Sequence, residues 1–502
     1  MVFPLAAQYE SAILRQYQKN ISRYPLIEAE ATEFLQDKDP FFSLCLKYLY
    51  GHMAAQDVLS TSVEVFAEYV SATLQAIRQI DYLQTVPAEI FFPYVLYPRV
   101  NSEYLDNSRN FLMAELLPFV QGKSMKQAAL CVNYWCYAHA TYTPADDRTL
   151  GPLAVLRHTL GRCGEESVLA VAALRSVGIP ARQCYCPRWS HCDDNHAWVE
   201  VWIEGQWHYL GACEPEPVLD RGWFTAAASR AMLVDSKCWA DWSGDALYQI
   251  ANCTARYAPT RMLTVRVTEN RLPVTGAHVR FQIVNYSELY TLWEVQTDNS
   301  GCARFETGLG DLFVYVRHGQ KVALKKADLR LQDSVLLELQ PSFPEQIAAD
   351  LVPPEDSSGV VPYETSLRHR ELLARCEAHL SAHRSDFSKK DGYLRHAALN
   401  GPEIQAFLAN GSYSQDLKEA LLNTLRPKDF VDITHETLTD ALDTVAAARE
   451  QYPDDIFRSY ILAPRVADEM LLPQRQQIRG LFPDGFADPN EILTWMQSHM
   501  QI

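Results

Sequence analysis

Apolar residues recur at helical spacing through the first 150 positions, most clearly in FFSLCLKYLYGHM (41–53) and SVEVFAEYVSATLQAI (62–77), and turn-dense stretches are few. This pattern predicts a helical lead-in. From about 150 to 240 it gives way to one strongly apolar helix followed by short alternating strands, HAWVEVWIE (196–204) and QWHYLGA (206–212). From about 258 to 340 alternation with period two dominates in MLTVRVTE, HVRFQIVN and DLFVYVRH, broken by turn signals such as TDNSG (297–301). A small β-sandwich is expected there. The Pro- and acid-rich stretch 341–362 reads as a linker, and the chain then becomes helical again to residue 502. The expected fold class is therefore α+β and multidomain: a helical region at 1–119, a mixed core at 120–250, a sandwich at 258–340, a linker at 341–362 and a helical domain at 363–502.

One repeat stands out. AEIFFPYVLYPRVNSEYLDNSR (88–109) recurs as DDIFRSYILAPRVADEMLLPQR (454–475), with IF, Tyr, the Pro-Arg-Val triplet, a Glu and the closing Arg in common. The helical lead-ins QDVLSTSVEVFAEYV and KDFVDITHETLTDAL match as well. The C-terminal region thus reads as a second copy of the N-terminal one without a catalytic half, placed either to pack against the first or to cap a cleft. A helix-packing motif duplicated with its domain is the simplest account of the triplet, against a partner-binding surface.

At 502 residues, two to four domains are expected. Hydrophobic residues at 48% and charged residues at 21% exclude disorder and low complexity. A formal charge of −17, with no long basic run, argues against nucleic acid as a partner. The N-terminus has no signal-peptide pattern and no stretch of eighteen apolar residues occurs, so a cytoplasmic protein off the membrane is expected. Most of the twelve cysteines should then be free thiols. Cys184, Cys186, Cys192 and Cys213 crowd together, yet their spacing is not a usual zinc pattern.

The chemistry concentrates in GRCGEESVLAVAALRSVGIPAR (161–182). Cys163 opens the apolar helix, where the helix dipole and free backbone N–H groups favour a thiolate and offer a seat for an oxyanion. Gly161 and Gly164 leave room for a substrate carbonyl. In DDNHAWVEVWIEGQWHYLGACEPEP (193–217), His196 begins a strand. A Cys and His together can open an amide: the imidazole takes the thiol proton and returns one to the leaving amine. Glu165 and Glu166 suit the first helical turn through the dipole and need no catalytic role. Arg162 either meets a substrate carboxylate or covers the helix end as a solvated cation, the second being the simpler reading.

G-x-C-G-E followed by LRSVGIPAR and then NHAWVEVWIEGQW resembles the core of the transglutaminase-like superfamily, with its papain-like Cys-His fold. That family includes cross-linking transglutaminases, peptide N-glycanases and many bacterial members of peptidase type. The resemblance covers about residues 120–240 and implies Cys163 as nucleophile and His196 as general base. The family's Asp, four residues after the tryptophan of the second strand, falls on Gly211 here. Glu214 is the nearest acid able to orient the imidazole, with Asp194, Asn195, Glu216 and Asp220 as competitors. The sandwich stretch resembles the immunoglobulin-like or prealbumin-like domains attached to many hydrolases.

Seven of the ten tryptophans lie between 189 and 242. Tryptophans on short strands usually pack, so one or two are expected in a cleft, Trp189 and Trp223 first. The expected function is a thiol amide-bond enzyme acting on a peptide or protein, by hydrolysis or by transfer to an amine, with no metal or organic cofactor required. The alternative is a catalytically silent scaffold that binds peptides or glycans. A further reading, N-glycan removal, rests on the CE of GACEPEP and the tryptophans.

Overall fold

The computed structural model describes residues 7–145, 148–240, 246–343, 349–359, 366–390, 392–480 and 488–499. Helices of the N-terminal region, among them Pro40–His52 and Val63–Gln79, coincide with the two periodic stretches; the first is buried nearly all round and the second buries one face. They surround a helix that is buried on nearly every side, Cys163–Ser176, in which residues 165–176 are all buried. Gly178, at φ +74°, ends this helix, and a Cβ there would fall 2.0 Å from Leu83 Cδ1. One hydrophobic core takes in both the helical lead-in and the mixed core, from Ile13 to Trp239, and also includes Ala398 and Val431 of the C-terminal region. The expected border between 119 and 120 is therefore no border in packing, because the apolar helix needs the lead-in helices to cover it.

Against this helix lies an antiparallel sheet in the order Gln206–Leu210, His196–Ile203, Ala181–Cys186, Asp235–Cys238, Gln249–Asn252. Alternation decides which residues meet what: Val199 and Val201 join the main core, whereas Trp198 enters a smaller cluster with Trp189 and Phe224. The next domain is two packed sheets with their own core. One holds Glu288–Gln296, His278–Asn285, Asp311–His318 and Lys321–Asp328, and the other is centred on Thr260–Glu269. This domain grips the loop that leads to His196: Asn285 Nδ2 donates to the carbonyls of Trp189 and Cys192, both at 2.9 Å, and Tyr286 N donates to Asp193 at 2.7 Å.

Parts of the expected linker, 344–348 and 360–362, lie outside the described residues. Its middle is laid along the molecule: Val352 N donates to Asp311 at 3.0 Å, and Arg230 Nε donates to Pro354 O at 3.0 Å. The C-terminal region has a third core, from Ala397 to Leu471, and leads in through the long helix Leu367–Ser388.

The repeated motif folds into the same clamp twice. Arg99, 5% exposed, pairs with Asp57 and donates to Glu103 O at 2.6 Å, while the Glu103 carboxylate accepts the backbone N–H of Val100 and Asn101, both at 2.7 Å. Arg465 likewise pairs with Asp429 and donates to Glu469 O, and Glu469 accepts from Val466 and Ala467 at 2.7 Å. Upstream, Asn20 Nδ2 donates to the carbonyls of Tyr50 and Met53, as Asn400 does to those of Phe430 and Ile433. Each clamp follows a π-helical turn, Phe92–Leu96 and Phe457–Leu462. In the first copy the triplet is interior, with Arg99 and Val100 both buried, whereas in the second the Arg465 side chain is buried and Val466 is 94% exposed.

Removing one member of a buried pair leaves the other charge without compensation, so Arg99→Met should cost about 3–5 kcal/mol. Guanidinium unfolding would measure it, with Asp57→Asn/Arg99→Met expected to recover much of the loss. A decrease below about 1 kcal/mol would count against the clamp as a main structural tie.

Candidate active site

Cys163 is the first residue of the buried helix and His196 the first of its strand, and both line one cleft of about 830 Å³. Glu214, Trp223, Asp194 and Asn195 line it as well. The thiol meets the backbone N–H groups of Ala197 and Gly164. Burial nevertheless pushes the Cys163 thiol above its ordinary value, overriding the pull of those N–H groups, and Glu166 pushes the same way. Burial takes His196, 6% exposed, down to about 4. Desolvation of a thiol sunk in a cleft thus opposes the helix dipole, and both shifts favour the neutral forms of Cys163 and His196 in the free cleft.

The position where the superfamily carries its Asp is filled from elsewhere. A Cβ on Gly211 would lie 2.8 Å from Glu214 Oε2 and 2.9 Å from Glu214 Cβ, so the glutamate occupies the room an aspartate at 211 would take. A bridge pairs Gly211 with Glu214, and Asn133 Nδ2 donates to Gly211 O at 2.8 Å. Both carboxylate oxygens of Glu214 accept from Trp223 Nε1, at 2.9 and 2.8 Å, and the Trp223 ring lies 4.7 Å from that of His196. Glu214 thus reaches the imidazole through an indole. Burial raises it to about 7, partly offset by the Trp223 bond, and burial with Glu214 and Glu165 nearby holds Glu166 well above the carboxylate range. Of the competitors, Asp220 meets His208 at 2.6 Å and Glu216 meets Arg221 at 4.0 Å, while Asp194 and Asn195 stay on the cleft wall, Asp194 accepting the backbone N–H of Asn195.

Two residues from outside the motif meet beside Cys163 and Gly164. Asn101 Nδ2 donates to Gln183 Oε1 at 3.0 Å, and Gln183 Nε2 donates to Gly164 O at 3.3 Å. Asn101 is the residue after the first Pro-Arg-Val triplet, so the clamp sets an amide next to Cys163. A Cβ on Gly164 would stand 3.4 Å from that amide, as expected of a glycine facing the cleft, but one on Gly161 would stand 3.0 Å from Glu165 Cβ, so Gly161 makes room for packing.

Glu165 is fully buried. It accepts Arg162 N at 2.8 Å and Leu150 N at 3.0 Å, and two cations face it: Arg162 Nε at 3.6 Å, and Lys428, 2.9 Å away and itself buried, delivered by the C-terminal domain. Arg148 pairs in turn with Asp432 at 2.7 Å. Glu165 thus sits in the first helical turn, where the dipole favours it, and in addition meets a cation from the C-terminal domain. No local pattern announces Lys428, since it lies far along the chain.

Trp189, expected in the cleft, is 3% exposed and packs parallel to Trp198 at 6.4 Å, because its strand-end position points into the smaller core. Trp223 is 64% exposed on the cleft. Trp242 lies outside the described residues. Of the crowded cysteines, Cys184 meets Cys253 and Glu200, three candidate ligands close together. Glu200 is already held by Arg182 at 2.6 Å and Arg256 at 2.7 Å, two cations that disfavour a metal there.

Residues 119–212 match the family model described as the transglutaminase-like superfamily. This chain carries a transglutaminase-like domain. The matched segment contains Cys163 and His196 and ends just after Gly211. A solved structure to which the chain is similar is the red sea bream transglutaminase, at 10% identity and a TM-score of 0.19, over 46% of this chain and 54% of that one. The alignment thus spans about half the length of that enzyme. No curated protein gives a significant match. Among the described residues, no helix is long and apolar enough to cross a membrane.

Two outcomes follow. A carboxyl raised to about 7 in the fold adds stability that is fully present below its unfolded value near 4.3 and is lost as pH rises through about 7. Glu214→Gln should therefore melt progressively higher than the parent as pH goes from 5 to 8, whereas a pH-independent difference would exclude this origin. Lys428→Met should destabilise by about 3–5 kcal/mol through the stranded Glu165, and Glu165→Gln/Lys428→Met by much less. Strict additivity in that cycle would mean the two residues do not interact.

Proposed function

We propose that the transglutaminase-like domain opens an amide bond through an acyl-enzyme on Cys163, with water as the second substrate, acting as a peptidase or amidase. The observation that supports this is the placement of Cys163 on a rigid buried helix, sharing a cleft with a neutral His196 able to accept its proton. As a substrate carbonyl approaches, the thiol proton passes to the imidazole and sulfur bonds to the carbonyl carbon. The oxyanion gathers near the N–H groups at the helix start, with the Asn101 and Gln183 amides beside them. The C–N bond then breaks and the amine leaves with the proton from His196; water next attacks the thioester carbon as His196 takes its proton, the C–S bond breaks, the acid leaves, and the imidazolium returns the proton to the Cys163 sulfur. Glu214, through Trp223, positions the imidazole in this reading.

Capture of the thioester by an amine instead of water would give transamidation at the same residues. A silent scaffold is favoured by one observation: the Glu214 carboxylate rests on Trp223 and leaves His196 Nε2 without a hydrogen bond. The glycan reading relied on a wall of tryptophans, and of the described ones Trp223 is the one lining the cleft.

With a neutral resting pair, Cys163 in the free protein should alkylate slowly at pH 7, with an apparent pKa above that of an ordinary thiol. Acylation by an activated peptide ester or amide, followed as a mass increase on Cys163, should still fall by about 10² or more in His196→Ala. Equal acylation rates in parent and variant, or no acylation at Cys163 at all, would replace the enzyme reading by the scaffold. Adding a primary amine to the acylated protein distinguishes the two outcomes of the thioester, by amide product against acid.

A further inference from the structure

The C-terminal domain meets the core at a second place, away from the cleft. Its long helix Leu367–Ser388 lies along the helix Met125–Tyr137, with Tyr137 Oη donating to Glu377 at 3.0 Å and Cys376 donating to Tyr134 O at 3.4 Å. Three histidines converge at this joint. His379 and His383 stand four residues apart, on one face of the long helix, and His139 follows the end of the core helix. Their candidate ligand nitrogens all lie within 4.8 Å of one another, and the rings are 5.0, 5.9 and 4.5 Å apart between centroids.

His139 is already oriented as a ligand would be. Its Nδ1 meets Trp135 O at 2.7 Å and its ring packs on the Trp135 ring at 4.1 Å. With Nδ1–H donating to that carbonyl, Nε2 carries the free lone pair, the arrangement by which outer-shell acceptors fix a metal-binding imidazole. A tetrahedral site with nitrogen bonds of about 2.0–2.1 Å has edges of about 3.4 Å, so small side-chain rotations on the half-buried and exposed histidines bring the three nitrogens to bonding distance. His139 and His379 also line a cavity of about 960 Å³ between the two helices, which leaves space for water as a fourth ligand.

We infer that His139, His379 and His383 form a binding site for one divalent zinc ion, which staples the C-terminal domain to the transglutaminase-like domain. Three imidazoles suit a borderline cation such as zinc over calcium or magnesium, which take oxygen ligands. The ion bridges two domains, so its role is to hold the joint and it takes no part in the thiol chemistry.

The test is zinc binding by the full-length protein after chelator treatment and dialysis, measured by competition with a chromophoric indicator and by calorimetry. One zinc per chain is expected, with binding weakened at least tenfold in His139→Asn, His379→Ala and His383→Ala alike. Zinc should raise the melting temperature of the parent and leave that of His379→Ala unchanged; His379 is exposed, so this variant keeps its fold. Cobalt in place of zinc should give the visible bands of a tetrahedral nitrogen site. Undiminished binding in His379→Ala/His383→Ala, cobalt spectra with a thiolate charge-transfer band, or no saturable binding to the parent would each overturn the site.

Discussion

A helix with no exposed face that carries a charge near each end imposes the constraint on which this molecule is built. Cys163–Ser176 holds Glu165 one turn from its start and Arg175 next to its end, both out of water. Neither can be left without a partner, because an uncompensated buried charge costs several kcal/mol. Arg175 is satisfied by carbonyls: Tyr97 O at 2.6 Å, Arg99 O at 3.1 Å and Ala181 O at 3.0 Å. Glu165 is satisfied by Lys428. The first clamp thus serves one end of the helix and the C-terminal copy serves the other, so the two halves of the duplication meet through the element that bears Cys163.

Much of this was legible in the residues taken alone, and the reasons are local. Alternation placed His196 on a strand, and an apolar run of helical length placed Cys163 at a helix start, so the α+β class and the transglutaminase-like segment could be read directly. What escaped was set by distance in the chain or by burial. The acidity of a thiol depends on how much water remains around it, which motif spacing does not encode. Trp189 and Trp223 look alike in sequence, and only the turn after each strand decides that one faces the core and the other the cleft. Lys428 and the three histidines draw meaning from partners hundreds of positions away.

The clamp also shows how one fold element takes on two duties. In the first copy the residue after the triplet is Asn101, whose amide stands at the cleft; in the second it is Ala467, which offers only its backbone to Glu469. The supporting bonds are the same, so the difference between a site-building loop and a packing loop comes down to the side chain that the clamp presents. The sandwich domain adds a third support from the His196 side, by holding the loop at Trp189 and Cys192.

The pairing of Glu165 with Lys428 has a consequence for the order in which the molecule can be completed during synthesis. The helix with Cys163, together with the lead-in helices that cover its apolar faces, leaves the ribosome well before Lys428, the lysine that neutralises Glu165. Until then the carboxylate must stay hydrated or take up a proton, and the loop bearing Arg162 and Leu150 lacks its final anchor. A nascent chain would therefore hold its cysteine in an unfinished setting, and the later domain acts as the lock that completes the earlier one.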